Sequence, residues 1–73
     1  MDAANVDLVI RDFLKDIRAR LDEANTVAKA AEACADAGNI RKAVEIALDI
    51  DQPLYEVTTL LNAASLIHRI RQD

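Results

Sequence analysis

Residues 34–42, CADAGNIRK, hold the only glycine of the chain, and their reading decides the fold. Gly38 stands where a helix ending at Asp36-Ala37 wants a residue in left-handed conformation. Asn39 follows with a side chain that can accept the orphan amide hydrogens of a new helix. The stretch therefore predicts a tight turn between two helices.

Working back from the turn, Ile10, Leu14, Ile17, Leu21, Ala24, Ala28, Ala31 and Ala35 recur in alternating steps of four and three, the heptad pattern of a helix packed along a partner. A helix over 6–37 is expected, about 48 Å long at 1.5 Å per residue. Asn25-Thr26 is the one place where it could break, because either residue can cap a new helix. The seam passes from large Ile and Leu to alanine, so a partner can approach the second half more closely.

Working forward, a second helix over about 40–49 presents Ile40, Ala43, Val44, Ala47 and Leu48 on one face and pairs Arg41 with Glu45 on another. Asp51-Gln52-Pro53 predicts a bend, with Asp51 capping a third helix and Pro53 in its first turn. That helix, about 53–71, is expected to bury Leu54, Val57, Leu60, Leu61, Ala64, Ile67 and Ile70. His68, Arg69 and Arg71 fall in its last turn, facing the negative end of the helix dipole.

The expected fold is all-α and a single domain over 1–73: a long N-terminal helix and two shorter ones, as an αα-hairpin or a three-helix arrangement. The second helix folds back along the alanine half of the first, and the third covers the Ile10 to Leu21 half or turns outward. One chain cannot hide so long a seam, so pairing into a homodimeric helical bundle is expected, with Ile10, Leu14, Ile17 and Leu21 as the dimer seam.

Composition agrees. Of 73 residues 52% are hydrophobic, but fourteen of these are alanines and the only aromatic residues are Phe13 and Tyr55, so the core is aliphatic and thin. The net charge of −4 matches a phosphate backbone poorly, which disfavours nucleic acid as a partner. A lone Cys34 rules out an internal disulfide and any multi-thiolate metal site, and suits the cytoplasm. The N-terminal stretch MDAANVDLVI reads neither as a secretory signal nor as a membrane span.

Two local resemblances follow. IRKAVEIALDIDQPLYEVTTLLNAASLI, residues 40–67, resembles the helix-turn-helix segment of small bacterial transcription regulators, with Val44, Leu48 and Ile50 at the buried first-helix and turn positions and Leu54 and Val57 in the second helix. AASLIHRIRQD resembles the end of a recognition helix running into a wing strand. Glu45 and Asp49 replace the small residue and the glycine usual in such motifs, and Asp51 to Ser65 holds two acids and no base. ACADAGNIRKAVE, residues 33–45, resembles the hairpin turn of a tetratricopeptide repeat, with Ala33, Gly38 and Ala43 in matching places; a single αα-hairpin is what this implies.

No catalytic constellation stands out. His68 reads as a helix-end residue and Cys34 as a buried thiol. No P-loop, Glu-x-x-His or His-x-x-x-His pattern exists, so no catalytic residue, cofactor or metal is assigned. Arg11, Lys15 and Arg18 form a basic stripe that Asp7, Asp12, Asp16 and Asp22 flank as salt-bridged surface. Thr58, Asn62, Ser65, Arg69 and Gln72 form an acid-free polar face, and Thr58, Asn62, Ser65 and Arg69 are the candidate contact surface. The expected function is a small non-enzymatic helical regulator or adaptor that binds another protein. The alternative is a DNA-binding regulator in which Arg11, Lys15, Arg41, Lys42, Arg69 and Arg71 converge on DNA.

Overall fold

The computed structural model describes residues 3–72. Helix α1 spans Ala3–Asp36, α2 spans Ile40–Ala47, a 3-10 turn spans Leu48–Ile50, and α3 spans Asp51–Gln72. No strand occurs among the described residues, so the all-α expectation holds.

Helix α1 runs unbroken through Asn25-Thr26. Thr26 Oγ1 donates to the Asp22 carbonyl at 3.1 Å, folding its hydroxyl back into the helix instead of capping a new one. The helix ends as its sequence dictates. Gly38 adopts φ +91°, the Asn39 amide donates to the Cys34 carbonyl at 2.9 Å, and the Gly38 amide donates to the Ala35 carbonyl at 2.9 Å. These two bonds form a Schellman motif. Asn39 also opens α2, its Oδ1 accepting from the Lys42 amide at 3.1 Å. One residue thus serves both helices, and the turn has no slack.

Where a bend was expected at Asp51-Gln52-Pro53, the chain continues with only a tightening. Asp51 is helical, at φ −57° and ψ −43°, and its amide donates to the Leu48 carbonyl. It is the acidic residue of the first turn of α3, not a side-chain cap. The cause is Pro53, whose ring would press on the carbonyl four residues back in a regular helix and which offers no amide hydrogen. Three residues of 3-10 geometry relieve both problems without turning the chain.

Asp7 and Arg71 form an ion pair that ties the far end of α3 to the start of α1. Along α1, Asp7 lies about 45 Å from the turn, and residues 40–71 at 1.5 Å each cover about 47 Å. The return is therefore nearly straight, and α2 and α3 follow one another along the same side of α1. Helix α3 runs helically to Gln72, where the resemblance of AASLIHRIRQD implied a wing strand. The molecule is an αα-hairpin shaped as a rod of 54 × 15 × 12 Å.

Candidate interaction surface

The buried and half-buried positions of α1 include Val6, Ile10, Phe13, Ile17, Arg20, Ala24, Val27, Ala31 and Cys34, a heptad series facing the returning arm, with Asp7 and Ala35 half-buried at its edge. That arm answers with Ala43, Ile46, Ile50, Pro53, Val57, Leu60, Ala64 and Ile67. Only half of the expected seam belongs here. Ile10, Ile17, Ala24 and Ala31 face inward, whereas Leu14, Leu21 and Ala28 are exposed. Leu14, Leu21 and Ala28 lie one position to the side of the inward row, which Arg20 interrupts with a charge. Phe13, Val27 and Cys34, three and four residues from the inward alanines and isoleucines, were the available signal.

The core that results is slight. Val6, Ala24, Ala31, Ala43 and Ala64 are the buried hydrophobic side chains, and no large side chain is fully buried among the described residues. Leu54, Leu61 and Ile70, expected inside α3, are exposed, as are Ile40 and Val44 of α2 and Leu48 of the 3-10 turn. The reason is geometric: a two-helix hairpin covers one stripe of each helix, about two positions in seven, while the apolar positions here fill a wider arc.

Among the described residues, six of the twelve exposed large hydrophobic side chains gather on one side, and Leu8, Val9, Leu48, Tyr55, Leu66 and Ile70 lie elsewhere. In an antiparallel helix pair, the position following one inward row on each helix falls on the same side of the pair. That rule places Leu14, Leu21 and Ala28 of α1 on one flank with Ile40 and Val44 of α2 and Leu54 and Leu61 of α3. The six large ones are 45% to 61% exposed. The opposite flank is charged. There Arg20 Nε lies 3.6 Å from Glu56 Oε1, Lys42 Nζ lies 4.0 Å from Glu45 Oε2, and Asp16, Glu23 and Asp49 complete the row. Glu45 thus pairs with Lys42 and not with Arg41, which projects away from both flanks. Arg20 also donates from Nη1 to the Asp16 carbonyl at 3.2 Å.

The basic stripe Arg11, Lys15 and Arg18 forms no ion pairs with the acids beside it. Asp7 is taken by Arg71, and the carboxylates one turn away lie beyond bridging distance. Thr58, Asn62, Ser65 and Arg69 are all exposed, Thr58 and Ser65 along the α3 edge of the apolar flank and Asn62 and Arg69 on the outer side of α3; the side chain of Gln72 lies outside the described ones. Thr58 directs its hydroxyl to the Leu54 carbonyl at 3.1 Å.

Cys34 is half-buried near the turn and His68 is exposed near the open end. At about 1.5 Å per residue the two are roughly 35 Å apart along the rod, so one chain cannot pair them. A shallow depression on the charged flank is lined by Arg20, Gln52, Tyr55, Glu56, Thr59 and Leu60, a set without a nucleophile beside a base. No group of metal-ligating residues is assembled, and no helix is long and apolar enough to cross a membrane, among the described residues. Comparison with protein-family models, curated proteins and solved structures gave no match.

Proposed function

We propose that this chain is a non-enzymatic protein–protein interaction module, a small helical regulator or adaptor that dimerises through the apolar flank of the hairpin and meets a further protein through the surface left outside it. The carrying observation is a surface far too large for the mass. The chain exposes 5605 Å², against about 4,500 Å² for a compact monomer of its size. Its radius of gyration is 16.8 Å, against about 11 Å for a compact chain of this length. An excess on the order of 1,000 Å², with a contiguous apolar flank inside it, is what one side of a standard interface occupies, about 800 Å².

Such a hairpin cannot hold itself together on a core of alanines, since packing and not propensity supplies most helical stability. The module is therefore a homodimer in which two apolar flanks close a four-helix bundle. Thr58, Asn62, Ser65 and Arg69 remain at the rim and on the outside for a further protein partner. A lone, half-buried thiol suits the reducing cytoplasm.

Light scattering after size exclusion tests the reading. A mass of twice 8.0 kDa is expected, with Leu21→Asp giving loss of both dimer and helical circular dichroism. Asn62→Asp, on the outer side of α3, leaves both intact. A wild-type monomer that is fully helical at micromolar concentration, or a folded monomeric Leu21→Asp variant, would sink the proposal.

A further inference from the structure

Resting on the dimer just described, we infer that the second copy lies on the apolar flank with its rod reversed, so that the turn of each chain sits over the open half of the other.

Two independent features point this way. The first is the distribution of charge along the rod. The open half, residues 1–20 and 58–73, carries Arg11, Lys15, Arg18, Arg20, Arg69 and Arg71 against Asp2, Asp7, Asp12, Asp16 and Asp73. The turn half, residues 21–57, carries three bases, Lys29, Arg41 and Lys42, against eight acids. One end is therefore close to neutral and the other strongly negative. Two rods side by side in the same direction would bring the acidic halves together, whereas reversal lays each acidic half over the half that holds six of the nine bases.

The second feature is the size pattern on the α1 flank, where Leu14, Leu21, Ala28 and Ala35 follow at steps of seven. Reversal about the middle of this row sets Leu14 against Ala35 of the second copy and Leu21 against Ala28. Both leucines of the α1 row then meet alanines, which lets the two α1 helices approach closely. The same offset brings Arg18, at the edge of the row, within one residue of Glu32 of the second copy. Both are exposed in the single chain. Size and charge thus select one orientation from the two that a twofold axis allows.

Spin labels at Arg41→Cys in a Cys34→Ala background measure the orientation directly. Reversed rods place the two labels about 35 Å apart along the axis, whereas rods in the same direction place them within about 25 Å. Separation near the longer value supports the proposal. The shorter value overturns the orientation and leaves the dimer standing; a monomeric mass with no dipolar coupling overturns the dimer itself. Charge exchange gives a second readout. Arg18→Glu is expected to weaken dimerisation about five- to tenfold at low salt, and adding Glu32→Arg to the same chain restores it. A double variant no tighter than the single one contradicts the Arg18 to Glu32 contact and with it the reversed register.

Discussion

Gly38 shows how one residue can carry a topological decision. A Cβ added there meets nothing within 4 Å, so the position is not crowded. The requirement is purely conformational, a φ of +91° that side-chain-bearing residues avoid. Gly38→Ala is therefore expected to cost about 1 to 2 kcal/mol, measured by urea unfolding, with no change in dimer mass. A loss below a few tenths would mean that the hairpin does not depend on its Schellman bonds. Asn39 adds its cap to the same turn. Both residues were readable in advance because Gly and Asn bring their conformational preferences with them wherever they occur. Asp51 carried the same type of signal and misled, because the neighbouring Pro53 could be accommodated by tightening the chain as well as by turning it.

At the level of the element, α1 was legible in length but not in orientation. A run of aliphatic residues at steps of three and four fixes a helix, yet two adjacent rows satisfied that rule, and only one could face the returning arm. The row that does so includes Arg20, whose charge argued against it. Arg20 is tolerated because its guanidinium leans to the charged flank, where Glu56 and the Asp16 carbonyl receive it. Its side chain is 33% exposed, so the pair contributes at most about 1 kcal/mol. Replacing it with a residue that fits the row is expected to gain more than that contact loses: Arg20→Leu raises the unfolding midpoint in guanidinium. A fall of more than 1 kcal/mol would show instead that the ion pair holds the two arms together. The other row, Leu14 and Leu21, was assigned to a dimer seam together with Ile10 and Ile17, and the fold divides the four. Ile10 and Ile17 stitch the hairpin, while Leu14 and Leu21 stay available. Sequence periodicity alone could not separate the two rows, since both repeat with the same period.

For the whole molecule, folding and association become a single event if the apolar flanks are what complete the core. The unfolding temperature should then rise with protein concentration, because dissociation accompanies melting. Calorimetry at two concentrations a hundredfold apart is expected to shift the midpoint upward by several degrees; an unchanged midpoint would indicate a core sufficient within one chain.

The turn at Gly38 has one more consequence, in time. Contacts between the alanine half of α1 and α2 close the shortest loops in the chain, whereas Asp7 and Arg71 can meet only after everything between them has been brought into line. Loop closure favours the first of these steps, so the arms zip outward from the glycine, and amide hydrogens should exchange with solvent most slowly near the turn and fastest at the open end. Distance from Gly38 thus sets the sequence of assembly.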